Sequence, residues 1–456
     1  MQNNKGLKPI IFLFSLFFLL FSFACDNGST GGTVNAVKIA EEAYTFGLPL
    51  VLVDITRRQR LDTWSQLAAP VEMNQFRHDT VLPDHEFRDF VRPNVDTLYS
   101  NAFLDLSGGP IELELPNMDD RYHLMQLMDA YTNVFGAPGT RTTGNTGGKF
   151  VIAGPGWTGS AAYRSLTNYV WILGRTLVNN GDNVAVDVVP LMNQYALTRL
   201  TPDSPLAEEG GPDILMTHDA NTVVAGMPTN VFFNYLNHLM LINPPSANDN
   251  SIVKRMAKIG VGPGAVFNLA QFNSEEQAAI LDIPQKLIPH LMMNAQQFFT
   301  SVNGWSSTAA EGMGNYGTNY QMRASVALTG IGANLPDDAV YFSVGPLDGS
   351  KKYVLRFEVG ETPPVNAFWS LTLYAGHYLY DNTLKRYAIG DRSGLVENTD
   401  ESIEIYIQHA NPGTDKEDNW LPAPGNNNFN LTLRAYIPKP ELLNGSWEMP
   451  QISIAE

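Results

Sequence analysis

A single cysteine, Cys25, stands among 456 residues, so no disulfide can close within one copy of this chain. Packed apolar side chains and satisfied polar groups must hold the fold instead. Hydrophobic residues make up 44% of the sequence, enough for substantial cores. The place of the cysteine matters as much as its being alone. Met1 to Pro9 is polar and carries Lys5 and Lys8, and Ile10 to Phe23 is an almost unbroken apolar run. Ala24 then precedes Cys25. A basic start, an apolar stretch and a small residue before the cut make a secretory signal. That apolar stretch is 14 residues long, whereas a spanning helix needs about 20. The arrangement resembles a bacterial lipoprotein signal, although Ser22 stands where an aliphatic residue is usual.

The resemblance implies cleavage after residue 24 and acylation of Cys25, with residues 26–33 (DNGSTGGT) as a flexible tether. Extended, those eight residues reach roughly 25 Å. The implied location is the cell envelope, periplasmic or surface-exposed, with the lipid bilayer as partner. The mature chain loses Lys5 and Lys8, so 27 of the 29 basic residues face 46 acidic ones, a net charge of −19. Such a surface repels nucleic acid.

Along the chain, Val37, Ala40, Tyr44 and Gly47 recur at helical spacing, so a helix is predicted from Ala36 to about Arg60. Strands are predicted from Asp96 to about Val189. Ile111, Leu113 and Leu115 alternate with Glu112 and Glu114, and Tyr122 to Met128 is apolar on both sides. From about Pro205 to Ala310 the period becomes helical, with Thr229 and Ser251 as expected N-caps. Strands are expected again from Tyr316 onward, with Asp348-Gly349 as a hairpin turn.

The usual catalytic signatures are missing. There is no Gly-x-Ser-x-Gly and no His-Glu-x-x-His. Ser251-Ile252-Val253-Lys254 lacks its companion motifs, and Gly144 to Lys149 has the wrong spacing for a phosphate loop. No cofactor and no metal site is predicted. His78 and His85, with Asp79 and Asp84, form the one local grouping, and polar loop residues explain it better than a metal does.

What remains is polar side chains on predicted β-structure. Asp96, Asp129 and Arg141 are the candidate catalytic residues of an acid/base enzyme acting on an exported polar substrate. Asn94, Tyr99, Tyr131, Asn133, Trp369 and Trp420 are candidate contacts to a small polar ligand, a glycan among them. A satisfied buried hydrogen-bond network accounts for the same residues more economically. Of the two functional readings, ligand binding leads and the enzyme is the rival.

These segments resemble a known pairing, the DUF1254 and DUF1214 families, domains of unknown function. The first is carried by Arg92-Pro93-Asn94-Val95-Asp96-Thr97-Leu98-Tyr99-Ser100, Arg121-Tyr122, Thr140-Arg141-Thr142-Thr143-Gly144 and Gly174-Arg175. The second is carried by Gly332-Ala333-Asn334, Asp337-Asp338-Ala339-Val340-Tyr341, Phe368-Trp369-Ser370, Asn419-Trp420-Leu421-Pro422 and Gly445-Ser446-Trp447. Glu401 departs from the pattern, because Asp400-Glu401-Ser402 stands where the family tends to have Asp-Gly-Ser. The resemblance implies an α+β, mostly β chain. It would comprise an immunoglobulin-like β-sandwich over 34–204, a helical domain over 205–314 and a C-terminal jelly-roll β-sandwich over 315–456. It implies no activity.

The anchor has a direct check. Mass spectrometry of the native protein should find a mature chain that begins at acylated Cys25, and Cys25→Ala should move the protein out of the membrane fraction. A mature chain still carrying residues 1–24 would refute the assignment.

Overall fold

The computed structural model describes residues 35–88, 91–207, 210–212 and 218–455. The signal, Cys25 and the tether lie outside them. Ala36–Glu456 clusters as one compact unit. The fold is α+β, with several antiparallel sheets.

The first helix, Ala36–Ser65, runs five residues further than its periodicity predicts. From Phe46 to Ile55 every residue is buried. A helix that is apolar all round must be surrounded, and this one is. Ala220–Gly226, Thr229–Ile242, Asn250–Met256, Ser274–Leu281, Ile283–Met293 and Tyr320–Gly330 all pack on it. Gly47 permits the close crossing with Thr229–Ile242, since a Cβ there would fall 2.3 Å from Leu236 Cδ2. Asp54 and Arg57 pair at 2.8 Å in this buried layer, and the Tyr235 hydroxyl donates to the same carboxylate. Among the described residues no helix is long and apolar enough to cross a membrane.

The strands form four sheets among the described residues. In the N-terminal half, a five-stranded antiparallel sheet runs Arg77–His78, Thr97–Asp105, Tyr169–Leu177, His123–Asp129, Val134–Gly136. A four-stranded sheet centred on Ile111–Leu115 covers one face of it. The alternation predicted at Ile111–Leu115 is observed, and His123–Asp129 is buried throughout as expected.

In the C-terminal half, the seven-stranded sheet is built on Ala339–Leu347, Phe429–Pro438 and Val365–Ala375. The sheet of Tyr353–Phe357 and Ile403–Gln408 lies over its apolar face, formed by Val340, Phe342, Leu371, Leu373, Leu431 and Leu433. The alternate residues Ser370, Thr372, Tyr374, Arg434 and Tyr436 form the other face, and they too are buried. They meet the far end of the five-stranded sheet, where Tyr122, Leu124 and Leu177 pack against Phe368 and Tyr436.

Four expectations need correction. Thr229 is the first residue of its helix and makes no capping bond; Pro228 holds the N-cap position. Ser251 lies inside Asn250–Met256, and the capping box belongs to Ser246 and Asp249. Asp348-Gly349 is a turn but not a hairpin, because Ala339–Leu347 and Tyr353–Phe357 belong to different sheets. The region after Tyr316 opens with a helix, Tyr320–Gly330, before the strands resume. Its Met322 to Leu328 are buried on every side, so no amphipathic period marks it.

The departure at Glu401 is a turn that requires a left-handed backbone, at φ 63°. Glycine adopts that conformation without strain, whereas a residue with a Cβ does not. Asp400 Oδ1 holds the turn by accepting from Ser402 Oγ at 2.6 Å. Glu401→Gly should therefore stabilise the chain by about 0.5–1 kcal/mol. An unchanged or lower urea midpoint would contradict this account of the turn.

Candidate functional site

Glycine sets the geometry of a cleft to which both β halves bring buried charge. The short strand Ala388–Gly390 pairs with Val365–Ala375, and a Cβ on Gly390 would lie 2.2 Å from the Trp369 carbonyl oxygen. A side chain there would push the strand away. The chain then turns, with Gly390 N–H donating to Ser393 Oγ at 2.9 Å, and brings Arg392 to the cleft, while Asp391 Oδ2 accepts from the Trp369 N–H at 3.2 Å.

The cleft is about 470 Å³. Asp96 and Asn179-Asn180 reach it from the N-terminal half; Ser370, Tyr387 and Arg392 reach it from the C-terminal half. Asp96 lies on its floor, only 5% exposed. Its Oδ1 accepts from Arg392 Nη2 at 2.9 Å and its Oδ2 from Ser370 Oγ at 2.5 Å. A charge-assisted pair of this kind survives burial because close, well-aligned donors offset the lost hydration of the carboxylate. Arg392 Nη1 donates to the Val178 carbonyl at 2.9 Å, and its guanidinium lies 4.3 Å from the Phe368 ring centroid. Its Nε has no hydrogen-bond partner among the described residues, and Asp391 Oδ1 lies 3.9 Å away. Burial pushes the Asp391 carboxyl up to about 6.

Behind the cleft the two halves meet through a polar seam. Asn94 Nδ2 donates to the Tyr436 hydroxyl at 2.7 Å, and the Tyr374 hydroxyl to the Pro93 carbonyl at 2.8 Å. Arg434 donates to Thr372 Oγ1 at 2.9 Å and to the Tyr374 hydroxyl at 2.8 Å. Burial raises the Tyr374 and Tyr436 phenols above their ordinary value.

The structure does not bring Asp96, Asp129 and Arg141 together. Asp129 is a turn-former: its Oδ1 accepts from the backbone N–H of Tyr131 and of Asn133 at 2.9 and 2.8 Å. Between them Thr132 is held at φ 69°. Burial, the largest influence, raises the Asp129 carboxyl above its usual range. Arg141 Nε donates to Asp338 Oδ1 at 2.6 Å. No hydrogen bond or ion pair among the described residues links these three groups.

The candidate ligand contacts are also dispersed. Asn94 belongs to the seam, and the Tyr131 hydroxyl donates to the Asn243 carbonyl at 3.1 Å in the helical layer. Asn133 holds the Asp129 carboxylate through Nδ2 at 3.0 Å. Tyr99 lines a second cavity, of about 610 Å³, with Arg77 and Thr97. Trp369 and Trp420 are 2% and 6% exposed and offer no open stacking face. His78 and His85 have separate partners, Ser100 Oγ and the Tyr387 hydroxyl.

Sequence reasoning found Asp96 but missed Ser370, Asp391 and Arg392 as its companions. Ser370 already stood in the Phe368-Trp369-Ser370 stretch, where its alternation with apolar neighbours reads as a wet face.

Residues 73–199 match the family described as Protein of unknown function (DUF1254), and residues 343–440 match Protein of unknown function (DUF1214). No curated protein matches the chain. Among solved structures, the VPA0106 protein from Vibrio parahaemolyticus is similar at 23% identity and a TM-score of 0.68, over 92% of this chain and 100% of that one. An uncharacterized protein from Burkholderia cenocepacia aligns at 12% identity and a TM-score of 0.44, over 92% of this chain and 94% of that one. The first likeness bears on the fold alone.

The raised Asp391 carboxyl makes the neutral form the one that the fold favours. The stability this gives is complete below about pH 4 and is lost as pH rises through about 6. Asp391→Asn keeps an acceptor for the Trp369 N–H and removes the charge. It should melt with the native protein at pH 4 and above it at pH 8. Equal melting temperatures at both values would show that Asp391 is not held this way.

Proposed function

We propose that this chain, which carries the DUF1254 and DUF1214 domains together, is an exported, lipid-anchored protein that binds a small hydroxyl-rich ligand, glycan in character, in the cleft between its two β halves. The observation that carries the reading is the floor of that cleft. There a carboxylate, a guanidinium and a hydroxyl from both halves are locked together with one guanidinium N–H unpartnered among the described residues. Few, fixed polar groups in a concave site are what a polar ligand needs for orientation. The lining mixes acceptors (Asp84, Asp96) with donors and amides (Asn179, Asn180, Lys385). Sugar hydroxyls both donate and accept, so they suit such a lining better than a purely anionic or apolar ligand does.

In this reading the paired sheets of the N-terminal half are an immunoglobulin-like sandwich and those of the C-terminal half a jelly roll. The two cores that fill the space between each pair support it. The envelope location and the bilayer as partner rest on the N-terminal signal and Cys25.

A hydrolase is the second reading, favoured by one observation. Asp96 and Asp391 flank the same Arg392, and Asp391 retains its proton to about pH 6, as a general acid requires. The acid would then be Asp391 rather than Asp129.

A thermal-shift screen of soluble glycans against the mature chain should return a stabilising sugar. Asn180 is exposed and lies at the cleft, and Arg392→Gln and Asn180→Ala should each weaken its binding at least about tenfold, roughly 1.4 kcal/mol. A screen with no stabilising sugar, or variants that bind as the native chain does, would defeat the proposal. Release of a cleaved product by the native chain but not by Asp391→Asn would favour the hydrolase.

A further inference from the structure

Deeper in the seam lies a second cluster of groups that the cleft does not use. Arg175 is 4% exposed. Its Nη1 makes one long bond, 3.3 Å to Gln126 Oε1, and its Nε has no partner among the described residues. Gln126 Nε2 in turn donates to the carbonyls of Gly332 and Ala333, both at 3.1 Å. The next residue is Asn334, whose Oδ1 accepts from the Tyr341 hydroxyl at 3.1 Å and whose Nδ2 has no partner among the described residues. The Tyr122 hydroxyl, buried on the same side, also has none. Tyr122 and Tyr341 both lie close enough to Arg175 to feel its charge.

The unpartnered atoms are all of one kind. A guanidinium N–H, an amide N–H and a phenol O–H are donors. The carboxylates near them are engaged elsewhere, Asp338 with Arg141 at 2.6 Å and Asp96 with Arg392 at 2.9 Å. The Tyr99 ring centroid lies 5.3 Å from the Arg175 guanidinium carbon and covers one side of the cation. A buried guanidinium with no carboxylate paired to it is costly in an apolar interior unless a negative charge neutralises it.

We infer that this part of the seam is a binding site for a small monovalent anion of halide size, received by Arg175 Nε, the Tyr122 hydroxyl and the Asn334 amide. None of the three residues lines the cleft, so the inference stands apart from the identity of the cleft ligand. The anion would be a structural counter-ion between the two β halves. A protein of net charge −17 repels anions over its surface, so such a site must be local and desolvated to work.

The test uses the mature chain purified free of halide. Crystals soaked in sodium bromide should show an anomalous peak within hydrogen-bond reach of Arg175 Nε. In solution, melting temperature should rise about 1–2 °C for each tenfold increase in bromide above its dissociation constant, against sodium gluconate at matched ionic strength. Tyr122→Phe keeps the ring and should reduce this response, and Arg175→Gln should abolish it. If Arg175→Gln fails to fold, the native anomalous map and the bromide series decide alone. Bromide peaks found only elsewhere, or equal melting in the two salts, would overturn the inference.

Discussion

The relative placing of the two β halves depends on polar pairs buried between them, above all Asp96 with Arg392, residues 296 positions apart. A carboxylate so deeply buried loses its water, and only close, well-aligned donors offset that loss. Arg392 and Ser370 supply them, and Arg392 is itself fixed by the Val178 carbonyl. A slide of one half over the other by an ångström or two would strand a charge without a partner. An apolar junction tolerates such slides, because its attraction has no direction. The apolar contact at this junction is small, formed by Tyr122, Leu124, Leu177, Phe368 and Tyr436 with a few neighbours. Polar geometry sets the register, and the cleft is the space left beside it.

The seven-stranded sheet shows how such a seam is written in a sequence. Leu371 and Leu373 point to one core, while Ser370, Thr372 and Tyr374 point away from it. Period-two alternation of this kind ordinarily marks a strand with one wet face. Here the polar face is closed over by Tyr122, Leu124 and Leu177. Its hydroxyls are satisfied by Arg434, Asp96 and the Pro93 carbonyl.

That ambiguity explains which parts of the structure were legible beforehand. The alternation at Ile111–Leu115 and the burial of His123–Asp129 follow from local pattern alone, and each is observed. Tyr320–Gly330 was not legible, because a helix enclosed on all sides has no period to read. Asp348-Gly349 has the chemistry of a turn, but turn chemistry does not say whether the strands on either side pair. At the site, Asp96 could be picked out for its polar neighbours. Ser370 lies 274 positions away and Arg392 beyond it, and no spacing rule spans such a distance. Asp129 attracted notice for the same polar richness as Asp96, yet that richness serves a tight turn around Thr132. Composition marks where polar groups are dense. Only the tertiary fold shows whether they face a cavity or one another.

The long first helix has a temporal consequence. Ala36–Ser65 is made early, yet it is enclosed by segments that end with Tyr320–Gly330, about 255 residues later. At ordinary synthesis rates that interval is on the order of ten seconds to a minute. Throughout it, Leu48, Leu50, Val51 and Ile55 have no finished shell to enter. A newly made chain must be shielded until its last third arrives, so escorts that bind nascent apolar segments become part of how this architecture is reached.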